Sequence, residues 1–287
     1  MKFPGPPLMA VATVPFLFDR YFTIWGGNIA STLAGEFAFS ISLCLALLFI
    51  GVFSKALETG RYRGLAAALF AGTLLCHLLP AFFALAGAGI VWLLQPSRRR
   101  LATGLLIGVV GLAITAFWLV PFAMRLGYSN DMGWERTTAF AKGLFPFLCN
   151  ARKTDSNVNC AAYNVVHPYT VHLKVVVALA AAGAVGGIVL RRRATLLLVG
   201  LGAVFAAAFR FMPQGTLWNA RMLPFWYLSL YLVAAACLSE SAIALGVLLG
   251  RAPTGGSPPD EDLPPVLGDR HADDGLEPMA PDPEDEP

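Results

Sequence analysis

Charged residues are scarce in this chain, and their scarcity excludes an ordinary soluble domain. Asp, Glu, Lys and Arg make up 14% of the 287 residues, apolar residues make up 56%, and the mean hydropathy is +0.63. Soluble domains usually carry about 25% charged residues. The composition therefore predicts an all-α, polytopic membrane protein whose first partner is the lipid bilayer.

Motifs of soluble enzymes are also absent. The chain contains no GxxxxGK[ST] loop, no HExxH motif, no GxSxG motif and no GxGxxG motif following a strand. These absences exclude the corresponding nucleotide-binding, zinc-protease and serine-hydrolase classes. We therefore expect any chemistry to lie at the membrane, and we expect no nucleic-acid partner.

Acidic residues are rare outside the C terminus. Eleven of the 18 acids lie between Ala252 and Pro287, so seven acids face twenty Lys and Arg in the rest of the chain. The C-terminal segment is rich in Pro and Gly and poor in apolar residues, and such a segment cannot bury enough surface to offset its ordering entropy. Residues 252–287 are predicted to form a disordered, acidic, cytoplasmic tail.

Short basic runs mark the ends of the long apolar stretches. They lie at Lys55 to Arg63, Arg98 to Arg100, Arg191 to Arg193 and Arg251. Cytoplasmic loops are enriched in Lys and Arg, so we expect these four runs on the cytoplasmic side of the membrane. The transmembrane domain then spans 36–251, with a long outer loop at 125–172.

Apolar runs long enough to cross about 30 Å of hydrocarbon predict the membrane helices. The run from Gly64 to Leu94 is too long for one crossing and short for two, and both of its ends are basic. It is predicted to form a helical hairpin with its apex around His77 to Pro80. The total is about seven hydrophobic segments, the others being Phe37–Phe53, Leu101–Met124, Lys174–Leu190, Ala194–Phe211 and Leu223–Leu249.

The N-terminal segment 1–35 is expected to be extracytoplasmic or interfacial. Its apolar run, Leu8 to Phe18, is short, contains Pro15 and makes a poor signal peptide or span. Two interpretations stay open. Either the chain lacks an upstream portion, or Leu8 to Phe18 inserts as a short interfacial or tilted helix.

Cysteines are few, and the five divide by location. Cys44, Cys76 and Cys237 lie within apolar spans, where a free Cys behaves as a small hydrophobe. Cys149 and Cys160 bracket a polar part of the outer loop, which lies in an oxidising compartment if the topology holds. We expect a disulfide between them, and two unrelated thiols are the alternative.

Four ionisable residues stand at or near the outer ends of apolar spans, where a charge is costly unless it is paired or used. Glu36 opens the first span and His77 lies at the hairpin apex. Arg210 and Arg221 flank the turn RFMPQGTLWNARMLPF. Two arginines suit a lipid phosphate, and snorkelling to headgroups is the alternative. His77 is expected to cap broken helix backbone near Pro80.

Several segments resemble a known family. IWGGNIASTLAGEFAFSISLCLALLF, GLAAALFAGTLLCHLLPAFFAL, AFWLVPF followed by GYSNDMGWE, and LWNARMLPFWYLSLYL look like those of bacterial, especially actinobacterial, polytopic membrane proteins sometimes labelled as pyruvoyl-tetrahydropterin synthase-related. These proteins are similar to the C-type superfamily of glycosyltransferases. The resemblance covers roughly Val14 to Leu249, and its most specific pieces are GGNIASTLAGEF, NDMGWE and WNARMLPF.

The resemblance implies transfer of a sugar from a polyprenyl-phosphate donor to a cell-envelope glycan or lipid at the outer face of the membrane. It makes Glu36, Asp131 and Glu135 candidates for catalytic, acceptor or metal contact, with Mg²⁺ or Mn²⁺ as a candidate cofactor. Arg210 and Arg221 are candidates for the donor phosphate. In this superfamily an acid in the first outer loop acts as base or metal ligand, and we expect that loop to lie upstream of Met1.

Two other classes of function stay open. A lipid or solute transporter or flippase would also have a broken hairpin and a charged outer rim, although no internal repeat is visible. A non-catalytic fragment or subunit working with other membrane subunits is the third hypothesis.

Overall fold

A computed structural model describes residues 3–19, 25–129, 143–146, 169–212 and 217–250 of the chain. Its helices are α1 (Pro6–Thr13), α2 (Ile29–Leu33), α3 (Phe37–Thr59), α4 (Arg63–Cys76), α5 (Leu78–Leu93), α6 (Arg98–Met124), α7 (Tyr169–Val189), α8 (Arg193–Phe211) and α9 (Leu223–Leu248). Short 3₁₀ helices occupy Val14–Phe18, Leu126–Tyr128 and Asn219–Met222. No strand occurs within these described ranges, so the predicted all-α class is confirmed.

Within the described residues, five helices are long and apolar enough to cross a membrane: α3, α6, most of α7, α8 and the segment Asn219–Leu248. Three further apolar helices, Pro6–Phe18, Arg63–Cys76 and Leu78–Leu93, are shorter. Many large apolar side chains on α6 and α7 are exposed, Phe117 at 73% for example. A surface of this kind is costly in water and suits lipid, so the chain is a multi-pass helical membrane protein.

The predicted basic loops meet at one end of the bundle, called here the basic end. Arg191, Gln95 and Glu58 line the same cavity, which brings the α7–α8, α5–α6 and α3–α4 connections together. The opposite end, called here the Glu36 end, holds the starts of α3 and α9. Assignment of the basic end to the cytoplasm stays a prediction from the distribution of Lys and Arg.

The predicted hairpin is present as α4 and α5, with a break at one residue, His77. The Phe70 ring of α4 lies 5.3 Å from that of Phe49, and Ser42 donates to the Thr73 carbonyl, so α4 runs antiparallel to α3. Helix α5 returns toward the basic end, where Gln95 lies. Pro80 falls in the first turn of α5, where a missing N–H costs no intrahelical bond.

The N-terminal segment 3–19 runs along the bundle from the basic end to the Glu36 end. Ser239 Oγ donates to the Pro4 carbonyl at 2.8 Å, and Pro4 lines a cavity with Arg192 at the basic end. The other end of the segment reaches the Glu36 end, where Phe16 packs against Tyr231. The physical reason is that the uncharged helix can bury its apolar side lengthwise, and a 3₁₀ turn accommodates Pro15.

Aromatic rings form the core beneath the Glu36 end. The Phe225 ring of α9 lies 5.4 Å from Phe39, 5.2 Å from Phe83 and 4.6 Å from Phe205. All four rings are buried, and each comes from a different helix. This cluster fixes the start of α9 against the start of α3 and so positions the polar residues just above it.

Two compact units divide the chain, Met1–Ala244 and Leu245–Pro287. The first contains the helical bundle. In the second, the structure describes residues 245–250, which are the last residues of α9 and a turn. The predicted tail 252–287 lies outside the described residues, as do Asp131, Glu135, Cys149 and Cys160 of the predicted outer loop.

Candidate polar site at the Glu36 end of the bundle

Glu36 is placed by a short helix and a glycine turn. Asn28 begins α2, where its Oδ1 accepts a hydrogen bond from Ser31 N–H at 2.8 Å. After α2, Gly35 adopts a φ of 110°, a conformation that favours glycine, and Glu36 N–H then bonds to the Ser31 carbonyl. Glu36 is the N-cap residue of α3, but its side chain makes no capping bond. Its carboxylate is therefore available for a contact outside its own helix.

Arg221 supplies that contact. Its Nη2 lies 2.8 Å from Glu36 Oε1, and the two side chains are 30% and 22% exposed. Arg221 belongs to the 3₁₀ helix Asn219–Met222, which Asn219 Nδ2 ties to the end of α8 through the Phe209 carbonyl at 3.1 Å. Partial burial makes the attraction within an ion pair stronger than it is at an exposed surface. It also makes removal of either partner costly, because the remaining charge is then partly buried and unpaired.

His77 completes the group at the break between α4 and α5. Its Nδ1 accepts a hydrogen bond from Leu79 N–H at 3.2 Å, and its ring packs edge-on against Phe39. Burial lowers the pKa of His77, the nearby Glu36 carboxylate opposes that shift, and the Arg221 guanidinium adds to it. With Nδ1 accepting, the neutral ring carries its proton on Nε2.

Arg210 does not share in this group. It is exposed in the last turn of α8, and its guanidinium lies 5.5 Å from the centroid of the Phe211 ring. Of the four ionisable residues that the sequence singled out, Glu36, His77 and Arg221 therefore lie together, and Arg210 lies at the rim.

A second polar chain lies at the same end and was not predicted. Tyr231 O–H donates to Asp19 Oδ2 at 3.0 Å, and His172 Nε2 lies 2.9 Å from the same hydroxyl oxygen. Because the Tyr231 proton goes to Asp19, His172 is the donor to Tyr231. Asp19 directly follows the apolar run Leu8 to Phe18, and an acid at the end of such a run is the signal that could have identified it.

Asn28 connects the two groups. Its Nδ2 donates to the Asp19 carbonyl at 2.6 Å, while its Oδ1 caps the helix that leads to Glu36. The buried Asn28 side chain thus ties Asp19 to the start of α2.

Two buried donors belong to residues that are hydrogen-bonded, through their backbone, to the members of the ion pair. Within the described ranges, Ser31 Oγ and Trp218 Nε1 are the buried side-chain atoms that have no hydrogen-bond partner. The Ser31 carbonyl accepts from Glu36 N–H, and the Trp218 carbonyl accepts from Arg221 N–H. Each unpaired donor therefore belongs to a residue bonded to one member of the ion pair, and unpaired buried donors are costly enough to require an explanation.

The donor set near Glu36 does not form a metal site by itself. In the part of the chain that the structure describes, no three His, Cys, Asp or Glu side chains converge. Glu36 already binds a guanidinium, and a cation would have to displace it. The arrangement instead suits an anionic ligand, because the Arg221 guanidinium is partly exposed and is held by one carboxylate.

The fold and this site define a multi-pass helical membrane protein with an acid, an arginine and a histidine grouped at one end of its bundle. Comparison with protein-family models, with curated proteins and with solved structures finds no match. The function is therefore argued from the geometry of the site and from the sequence.

Proposed function

We propose that the protein is a membrane glycosyltransferase that uses a polyprenyl-phosphate-linked sugar at the Glu36 end of its bundle. The observation that carries the proposal is the half-buried Glu36–Arg221 pair at the end of an apolar bundle. A charge at the end of an apolar span persists when it is paired or used, and this pair keeps an acid and an arginine together where a ligand can reach them. The distribution of basic loops favours an outer position for this end, where cell-envelope acceptors would lie.

The donor phosphate competes with Glu36 for Arg221. A guanidinium binds phosphate oxygens through two parallel hydrogen bonds and keeps its charge at any relevant pH. Arg210, exposed at the rim, is a further candidate for the lipid phosphate.

Release of Glu36 from Arg221 then creates the base. The Glu36 carboxylate takes the proton of an acceptor hydroxyl, whose oxygen forms a bond to the anomeric carbon of the sugar. The bond from that carbon to the phosphate oxygen breaks, and polyprenyl phosphate leaves with the bonding electrons. Arg221 stabilises the negative charge that develops on the phosphate, and a single displacement of this kind inverts the anomeric centre.

The step described above uses Glu36 and Arg221. Mg²⁺ or Mn²⁺ stays a candidate cofactor, with Asp131 and Glu135 as its candidate ligands. The carboxylates of Asp131 and Glu135 are oxygen ligands of the type that either cation takes. No step of the mechanism passes through such an ion.

The transporter hypothesis has one specific observation in its favour. Helix α4 ends at Cys76 and α5 starts at Leu78. The N-terminus of α5 therefore lies at this break, in the region of the ion pair. In that function the Glu36–Arg221 pair would open and close without any bond being made. A non-catalytic subunit would keep the pair for structure alone.

Turnover in proteoliposomes separates these functions. The full chain is given a radiolabelled polyprenyl-phosphate-linked sugar and an envelope glycan extract, and transferred label and released polyprenyl phosphate are both measured. Glu36→Gln should reduce transfer by about a hundredfold or more, as expected for loss of a general base. Glu240→Gln is the matched control, because Glu240 forms an ion pair with Arg192 at the basic end.

Each outcome has a clear meaning. Transfer that stops in Glu36→Gln and continues in Glu240→Gln supports the transferase. Movement of the labelled lipid across the bilayer with no transfer contradicts the transferase and supports the transporter. Equal transfer in wild type and Glu36→Gln rules Glu36 out as the base.

A further inference from the structure

The basic end contains a cavity of its own, remote from Glu36. Its volume is about 1090 Å³, and its walls include Arg191, Arg192 and Arg193 at the start of α8. Glu58 and Glu240 also line it. Such a cavity is large enough for a phospholipid headgroup.

The charge of this cavity is positive. Glu240 Oε1 lies 3.8 Å from Arg192 Nε, so one arginine already has an acidic neighbour. Arg191 and Arg193 are exposed and have no ion-pair partner among the residues that the structure describes. The first turn of α8 lines the cavity and carries no side-chain cap, so its amide groups add partial positive charge.

An apolar cavity of about 670 Å³ adjoins the arginine cavity. Phe3 and Glu58 line both cavities, so the two lie side by side at these residues. The walls of the apolar cavity come from the N-terminal segment, α3, α8 and α9, and include Met9, Leu47 and Leu201. From Glu58 to Leu47 it follows α3 for about 16 Å at 1.5 Å per residue. This shape fits an extended hydrocarbon chain.

We propose that these two cavities form one binding site for an anionic phospholipid. The phosphate binds between Arg191 and Arg193, and one acyl chain enters the apolar cavity past Phe3. Charge complementarity selects the headgroup, and the neighbouring apolar cavity selects a lipid over free phosphate, which would use the first cavity alone. Cationic pockets between membrane helices at the cytoplasmic side bind acidic lipids in this manner. The proposal does not depend on the transferase.

Lipid binding to the purified full chain tests the proposal. Bound phosphatidylglycerol and phosphatidylcholine with identical acyl chains are counted by native mass spectrometry, and inorganic phosphate is titrated in parallel. Arg191→Gln/Arg193→Gln should weaken phosphatidylglycerol binding by about tenfold or more. The matched control is Arg98→Gln/Arg99→Gln, which removes the same charge from two exposed arginines at the same end that do not line the cavity.

The chain-binding part is tested by filling the apolar cavity. Gly51 lines it, and a Cβ added there meets no atom within 4 Å, so Gly51→Leu is the variant chosen to add bulk to this cavity. This variant should weaken the binding of intact phosphatidylglycerol by about tenfold and leave the binding of inorganic phosphate unchanged. Gly186→Leu is its control, because Gly186 also has open space around its Cβ and lines neither cavity.

Three results would overturn the proposal. Phosphatidylcholine that binds as well as phosphatidylglycerol shows that the arginines do not select the headgroup. Inorganic phosphate that binds as tightly as the lipid, with Gly51→Leu having no effect, shows a site for free phosphate. Equal losses in the two arginine pairs show a general attraction to the basic end.

Discussion

Arg221 Nη2 lies 2.8 Å from Glu36 Oε1 and joins the start of α9 to the start of α3. The aromatic rings of Phe39 and Phe225 stack immediately beneath this contact. A charged pair therefore stands directly on an apolar core. This position makes the pair sensitive to loss of either partner, and four predictions follow from it and from its surroundings.

The ion pair should contribute measurable coupling to stability. We expect Glu36→Gln and Arg221→Gln each to lower thermal stability in detergent, and the double variant to cost less than the sum of the two. A coupling of about 1 to 3 kcal/mol is expected, between the values for exposed and buried pairs. The same cycle on Arg192 and Glu240, whose Nε and Oε1 atoms lie 3.8 Å apart, should give less. Additive effects at Glu36 and Arg221 would show that the contact carries no coupling.

His77 should titrate below its ordinary value of about 6.5, because burial disfavours the imidazolium. NMR of ring-labelled histidine in detergent measures its pKa. Glu36→Gln should lower that pKa further, because it removes the carboxylate that favours the cation, whereas Arg221→Gln should raise it. Since the folded pKa is below the unfolded one, this contribution to stability is present above about pH 6.5 and is lost as the pH falls. Shifts of the opposite sign would contradict the proximity of the three groups.

Gly26 and Gly35 separate backbone strain from close packing. Both have a positive φ, 105° and 110°, but a Cβ on Gly26 would lie 2.5 Å from the Phe39 ring, while one on Gly35 meets nothing within 4 Å. Gly35→Ala should cost about 1 kcal/mol from strain, and Gly26→Ala about 1 to 3 kcal/mol more from overpacking. Thermal unfolding in detergent measures both. Equal losses would mean that Phe39 moves aside freely.

Tyr231 should matter through its hydroxyl. Tyr231→Phe keeps the ring against Phe16 and removes the bonds to Asp19 and His172. The expected loss is about 1 to 3 kcal/mol of unfolding free energy, the range for hydrogen bonds to a charged group. Tyr62→Phe, at an exposed position, should change stability by less than about 0.5 kcal/mol. An unchanged free energy of unfolding in Tyr231→Phe would show that solvent replaces the hydroxyl.

The membrane helices could be predicted from the sequence because length and apolar content determine them. The start of the first span at Phe37 and the break at His77 both agree with the structure. Charge and proline mark such boundaries locally, so no knowledge of packing is required.

The path of the N-terminal segment and the pairing within the site could not be predicted in the same way. Hydropathy shows that Leu8 to Phe18 is apolar, and it does not show that the segment packs lengthwise along the bundle. Glu36 clearly needed a partner, but Arg221 is brought to it only by the packing of α9 on α3. Tyr231 was hidden for the same reason, because a tyrosine within a span usually packs as an aromatic ring.

Donor binding tests the central claim most directly, namely that Arg221 passes from Glu36 to a phosphate. Affinity for a polyprenyl-phosphate-linked sugar is measured on wild type, Glu36→Gln and Arg221→Gln in the same detergent. The account predicts that Glu36→Gln binds the donor several times more tightly than wild type, because its competitor for Arg221 is gone, and that Arg221→Gln binds about tenfold or more weakly. Equal weakening in the two variants would contradict it, because the pair would then serve structure alone.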